Sequence, residues 1–307
     1  MQNYFADNQA QAGHNRQSLR GGAVSLIARA INGLVQVGSV LFLARLLSPE
    51  DYGLVSMVTA VVGFAPLLID LGTRDAVVQR PKITAGEVSA LFWITFGVAL
   101  VFAGLVAASG PVIARFYHEP QLPMIALASS VTILASGLTF QHQALMRRAM
   151  MFRKLAVLDI ASNVIGAAGA ITMAYYGFGY WALVTRPIAT SVLLALGTWI
   201  QCRWLPLKPS FTSAVKEMVR FGCNLIGFSF TDFVAKNMDR VAIGNRSGAR
   251  GLGFYQNALL IYDNLLDLTF PLHGVAVASL SKLLGNLEEL RRVWAKALST
   301  QIGRAHV

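Results

Sequence analysis

Between Ser229 and Gly244 the chain reads SFTDFVAKNMDRVAIG, an apolar stretch that nonetheless carries Asp232, Lys236, Asp239 and Arg240. Separations of 4, 4 and 7 place the four charges along roughly one side of a helix. A charge near the middle of a bilayer costs about 2.5–3.5 kcal/mol on insertion scales, so such groups usually face a bundle interior or a wet cavity. The chemistry they offer there is capture of an anionic group by the bases and of a cation or proton by the acids. The plainer reading is a helix end: Arg240 snorkels to the nearer surface, and Asp232–Lys236 is an ion pair that fixes helix rotation.

Other charges fall at matching depths. Arg29 and Asp70 are equally distant along the chain from a turn near residue 49.5. A rise of about 1.5 Å per residue then puts both about 30 Å below that turn, where they pair if their helix faces agree. Asp232 and Asp263 are level in the same way about residue 247.5, with Lys236 one turn above them at a depth near that of Arg186, and Asp267 follows. Two level aspartates repel, so one holds a proton or both join Lys236 in a compact ion network. Asp159 lies beside Arg153 and Lys154 and is expected to form an ion pair at the membrane edge.

No catalytic constellation accompanies these charges. The sequence has no H-E-x-x-H, G-x-S-x-G or G-x-x-x-x-G-K motif, and no D-x-D in a loop. The expectation is therefore a protein that is not an enzyme and takes no cofactor or metal. Its five histidines are scattered, and His142 and His273 are expected to pack near one membrane edge. Cys202 and Cys223 form no C-x-x-C pair and read as reduced structural thiols.

The elements that must position these residues are membrane helices. Of the 307 residues 55% are hydrophobic and 13% charged, against about 25% charged in a soluble domain. Eight apolar spans can be read, roughly 22–46, 53–73, 88–114, 122–145, 155–176, 179–200, 217–244 and 252–280. Ser48-Pro49, Glu119-Pro120, Gly177, Pro206 and Pro209 punctuate the connectors. The fold class is all-α and polytopic, with about eight complete transmembrane helices and the start of a ninth. The expected domains are a cytoplasmic tail 1–20, a six-helix bundle 21–201, a linker 202–216, and an incomplete second bundle 217–301. Ile302–Val307 (IGRAHV) reads as translated sequencing adapter, so the chain is expected to have been cut inside a ninth span.

The net charge of +11 is dispersed among short loops, which makes it topology rather than a nucleic-acid surface. Seventeen Lys and Arg fall on the side of the amino terminus and four on the other, which places the amino terminus in the cytoplasm. No cleaved signal is visible, and the first span is expected to act as an uncleaved anchor. Pro66, Pro187 and Pro271 lie inside spans and are expected to kink them. A faint repeat about 200 residues apart relates ARLLSPEDYGLVSMV near Ser48 to GNRSGARGLGFYQNA near Ser247.

Five stretches resemble one known family: LARLLSPEDYGLVSMV (43–58), LIDLGTRDAVVQR (68–80), ALMRRAMMFRKLAVLD (144–159), GFGYWALV (177–184) and NMDRVAIGNRSGARGLGFYQNA (237–258). These are similar to the polysaccharide-transporter family, the lipopolysaccharide and exopolysaccharide flippases of the multidrug/oligosaccharidyl-lipid/polysaccharide exporter superfamily. The resemblance implies two six-helix bundles around a central cavity. It implies transfer of an undecaprenyl-diphosphate-linked oligosaccharide to the outer leaflet of the bacterial inner membrane by alternating access; a monomer, with H+ or Na+ as the coupling ion, is the expectation that goes with it. The family's cavity is lined by basic residues on the first, second, seventh and eighth spans. By position, Arg29 and Lys236 are then the substrate-binding candidates, with Arg240 and Arg186 behind them. Asp70, Asp232, Asp239, Asp263 and Asp267 are candidates for ion coupling or ion pairing. The intramembrane acids outnumber these bases, so a cationic cavity does not follow from the sequence. The alternatives are a cation-coupled multidrug exporter of the same superfamily and, more distantly, a membrane glycan polymerase or ligase, which the short outer loops disfavour.

Overall fold

The computed structural model describes residues 15–70, 72–80 and 82–267. Nine helices run through them: α1 (Asn15–Leu46), α2 (Pro49–Val62), α3 (Ala65–Asp70), α4 (Thr73–Gln79), α5 (Ala85–Tyr117), α6 (Leu122–Arg148), α7 (Phe152–Tyr175), α8 (Tyr180–Cys202) and α9 (Ser213–Asp267). No strand occurs among the described residues. A compact unit ends at Leu260; Ile261–Asp267 are the described part of a second unit, and they are helical.

Local chemistry fixes where the helices begin. Ser48 caps α2: its Oγ accepts from Asp51 N at 3.3 Å, and its own N–H donates to Asp51 Oδ2 at 2.9 Å. Thr84 and Glu87 repeat this reciprocal cap at α5, with distances of 3.3 and 2.9 Å. Pro49 and Pro123 sit at the first positions of α2 and α6, where no N–H is needed.

Among the described residues, five helical stretches are long and apolar enough to cross a membrane: Val24–Leu46, Ala85–Tyr117, Leu122–Arg148, Phe152–Tyr175 and Tyr180–Cys202. These correspond to expected spans one, three, four, five and six. The expected second span, 53–73, is instead broken between α2 and α3 at Gly63–Phe64. Pro66 supplies the reason: without an N–H it leaves the Val62 carbonyl without its helical donor, and the helix stops there. The described parts of expected spans seven and eight, 217–244 and 252–267, form one helical run interrupted at Gly248, whose φ of 67° and ψ of −174° are not helical. The limbs fold back on each other, because Tyr255 donates to Asp239 across the break. Along an unbroken helix those residues would be about 24 Å apart. The expected kink at Pro271, His273, the rest of the expected second bundle from 268 to 301, and 302–307 lie outside the described residues.

The core lies where α5 packs along α6, α7 along α8, and α1 on α7. Met57, Val58 and Ile69 meet Leu122 and Ile125 in its largest cluster. Leu100, Val101, Leu105 and Val112 remain exposed on α5. Large apolar residues pointing outward along a membrane-length helix are what a lipid-facing surface requires.

The non-helical linker 203–212 is stapled to the start of α5. Ser210 N donates to Gly86 O at 3.0 Å, Thr212 Oγ1 to Glu87 Oε1 at 2.8 Å, and Leu207 N to Ser89 Oγ at 3.0 Å.

Candidate functional site

A cavity of about 480 Å3 opens inside the unit ending at Leu260. Helical periodicity builds it, because α1, α2, α8 and α9 each contribute residues three or four apart. The polar lining is Gln36 of α1, Tyr52, Ser56 and Thr59 of α2, Asn163 of α7, Arg186, Thr190 and Ser191 of α8, and Gln256 of α9. Val40, Leu43, Val55 and Leu183 supply apolar wall. Pro187 follows Arg186 within α8, and its missing N–H deprives the Leu183 carbonyl of a helical donor at the cavity. Gly166 lets α7 approach α8 here, since a Cβ on it would stand 2.4 Å from Thr190 Oγ1 and 3.2 Å from Arg186 O.

Arg186 is the cavity's cation. Its Nη2 donates to Gln36 Oε1, a neutral acceptor that orients the guanidinium without neutralising it. Tyr52 Oη and Gln256 Oε1 are buried with no hydrogen-bond partner among the described residues, and both belong to cavity-lining side chains. No carboxylate lines the cavity among the described residues. A cation, three carboxamides and several hydroxyls beside an apolar wall suit an anionic or hydroxyl-rich group, and the volume lies in the range of ordinary ligand pockets.

The structure brings together only part of the residue set expected from the sequence. Arg186 lies in the cavity, as just described. Arg29 is exposed on α1, and the expected Arg29–Asp70 pair does not form. Asp70 is held by Arg74, at 2.7 Å from Nη2 and 2.8 Å from Nε, and the Arg74 guanidinium lies 4.2 Å from the centre of the Phe140 ring. Proximity decides this: Arg74 is only four residues along the chain and reaches Asp70 from the first turn of α4 at less entropic cost than a partner on α1. Lys236 and Asp232 pair at 2.8 Å, with side chains 72% and 47% exposed. Arg240 donates to Asn237 Oδ1 at 3.0 Å, and Asp239 accepts from Tyr255 Oη. The side chains of Asp263 and Asp267 lie outside the described residues. Asp159 forms no ion pair with Arg153 or Lys154; the charge acting on it is Arg147, on the preceding helix.

Sequence reasoning passed over Gln36, Tyr52, Ser56 and Gln256. A uniform scatter of single polar residues in apolar helices gave no signal that they converge. It also treated Arg148 as a loop charge and left His142 at an edge. Arg148 is 6% exposed, and His142 is fully buried between the carbonyls of Leu138 (3.1 Å) and Trp204 (3.2 Å). The polar run Gln141-His142-Gln143 inside an apolar helix was the available hint.

Comparison with known proteins agrees with the helical, membrane-spanning character of the chain. Over residues 42–302 it matches the family described as "Polysaccharide biosynthesis protein". It is 28% identical over 268 residues to the succinoglycan biosynthesis transport protein ExoT of Rhizobium meliloti (strain 1021), covering 86% of this chain and 53% of that protein. It is 25% identical over 211 residues to the teichuronic acid biosynthesis protein TuaB of Bacillus subtilis (strain 168), covering 64% and 41%. It is 23% identical over 277 residues to the lipopolysaccharide biosynthesis protein WzxC of Escherichia coli (strain K12), covering 87% and 54%. The chain thus spans about half the length of the curated relatives it matches. No solved structure matches. With most of its length matched by one family, the chain is a multi-pass membrane protein that belongs to the polysaccharide biosynthesis protein family, among whose relatives are polysaccharide transport proteins.

Proposed function

We propose that this chain works in a flippase that carries a lipid-linked oligosaccharide or exopolysaccharide precursor across the bacterial inner membrane by alternating access, with its amino terminus in the cytoplasm. The observation that carries this reading is the cavity around Arg186: a guanidinium held by a neutral carboxamide, with unpartnered polar atoms beside open space. A phosphate or a sugar hydroxyl satisfies those atoms, and the low-dielectric surroundings strengthen each such bond. Arg186 is assigned first contact with the anionic part of the substrate. Arg29, Lys236 and Arg240, which border no part of this cavity, take a secondary role in drawing it in. Coupling to H+ or Na+ falls in this reading to the acids outside the cavity: Asp70, Asp232, Asp239, Asp263 and Asp267.

The cation-coupled multidrug exporter is the less favoured reading. It needs carboxylates facing a cationic substrate, whereas Asp70, Asp232 and Asp239 are each engaged by a neighbouring side chain and none lines the cavity. The deciding experiment is Arg186→Gln in the full chain, expressed in a strain that lacks its own polysaccharide flippase and is complemented by the unaltered protein. Surface polysaccharide is expected to fall at least tenfold while the protein stays at its usual membrane level. Undiminished polysaccharide removes Arg186 and this cavity from the transport path.

A further inference from the structure

The closest backbone approach among the described glycines is a reciprocal one. A Cβ added to Gly53 would stand 1.7 Å from the carbonyl oxygen of Ala249, and one added to Gly253 would stand 1.6 Å from the carbonyl oxygen of Pro49. Both obstacles are backbone, so neither can rotate aside, and only glycine fits either position. The numbering repeats at an interval of 200: residue 53 rests on residue 249, and residue 253 on residue 49. A contact in which one segment touches its equivalent and is touched in return is the signature of a twofold axis.

The place of the break repeats as well, although the two residues at it differ in backbone conformation. Ser48, extended at φ −76° and ψ 155°, precedes α2, and Gly248, at φ 67° and ψ −174°, interrupts α9. Each is followed by the first turn of a helix, and five residues on comes the contact glycine. The faint sequence repeat therefore corresponds to a physical pairing of two helix-start turns.

This pairing sits at the end of the cavity. Tyr52, Val55 and Ser56 of α2 lie beside and just after Gly53, and Gln256 and Leu260 of α9 follow Gly253; all five line the cavity. Two helix starts in backbone contact leave no room for a side chain, water or substrate between them. The backbone contacts add about 0.5–1 kcal/mol each, and Leu54 and Met57 beside Gly53 share one apolar cluster with Ala249 and Leu252 beside Gly253.

We propose that Gly53 and Gly253 form a clasp that closes the cavity at the end where both hairpins turn, and that passage of substrate requires the two turns to part. This rests on the transport reading and adds to it the residues that shut one door.

Two measurements test the clasp without any saccharide, so its failure is distinct from failure of the transport reading. In the full chain carrying Cys202→Ala, Cys223→Ala and the single reporter Ser56→Cys, a membrane-impermeant thiol reagent is applied to each face in turn. Gly53→Leu and Gly253→Leu hold the turns apart. Either is expected to raise the labelling rate from the clasp side at least tenfold, while Gly33→Leu, at a glycine with nothing within 4 Å, leaves the rate unchanged. An unaltered rate in either well-folded clasp variant overturns the proposal. The second measurement keeps both glycines. Spin labels at Glu50→Cys and Arg250→Cys, in the background free of native cysteines, are expected to give two separations in lipid nanodiscs, one for the clasp shut and one for it parted. A single narrow separation overturns the proposal even if the leucine variants do not fold.

Discussion

Two arginines on packed neighbours, α6 and α8, reach into the bundle, and they meet opposite surroundings there. Arg148 sits at the end of α6, 6% exposed, and its Nη1 donates to Val77 O at 3.0 Å and to Arg80 O. Those carbonyls close α4, where the last acceptors of a helix lack intrahelical partners and carry partial negative charge. Arg186 sits in mid-helix, meets one neutral carboxamide, and borders a space of about 480 Å3. Unpartnered polar atoms do not separate the two places. Gln141 Oε1 and Trp204 Nε1, on the side of Arg148, are as unsatisfied as Tyr52 Oη and Gln256 Oε1 beside Arg186. Open volume separates them. A cation that ends on helix carbonyls with no room left is a structural tie, and one held by a neutral group at the edge of a void is available to a ligand.

The contrast makes its largest prediction at Arg148. Arg148→Met removes hydrogen bonds from a charged donor, each worth about 1.5–3 kcal/mol, and orphans two carbonyls. Unfolding of the full chain in lipid nanodiscs is expected to show a loss of about 3 kcal/mol, with export per folded molecule little changed. Arg186→Gln is expected to reverse the pattern, with stability altered by less than about 1 kcal/mol, since one bond to a neutral amide is exchanged for water in the cavity, and export abolished. Equal destabilisation by the two substitutions would erase the distinction between tie and site.

The helices at 85–117, 122–148, 152–175 and 180–202 were legible because about 20 apolar residues between breakers leave a chain no other arrangement in hydrocarbon. The same reading missed the break at Gly63, because it treated Pro66 as a kink within one span. Spacing along one helix was enough to read the Asp232–Lys236 pair, which lies outside the cavity; Arg186, which lines it, stood behind Arg29 and Lys236 among the candidates. The Arg29–Asp70 pairing failed because equal depth says nothing of which way a side chain faces, and Arg74, four residues along the chain at the start of α4, was already within reach of Asp70. Gln36, Tyr52 and Gln256 could not be read, since their convergence depends on the rotation of three helices that hydropathy does not encode. The repeat near Ser48 and Ser247 is a middle case. Its sequence similarity is faint, because what the two turns share is a close backbone approach that asks only for glycine at one position of each.

The smallest expected effect belongs to Asp232–Lys236, and it sharpens the comparison from the exposed side. Both side chains are largely open, at 47% and 72%, and their bond of 2.8 Å joins residues one helical turn apart. A solvated pair of this kind contributes about 0.3–0.5 kcal/mol, whereas a lone charge left facing hydrocarbon costs about 2.5–3.5 kcal/mol. Single replacements therefore report which medium surrounds the pair. Asp232→Asn and Lys236→Gln are each expected to change stability in nanodiscs by less than about 0.5 kcal/mol, with the double variant equal to the sum of the two. Such additivity means water reaches this face of α9, as a polar chamber beside it requires. A large cost for either single variant, relieved in the double, would mean that the pair faces lipid, and Lys236 would then be a rotational anchor with no part in drawing in an anion.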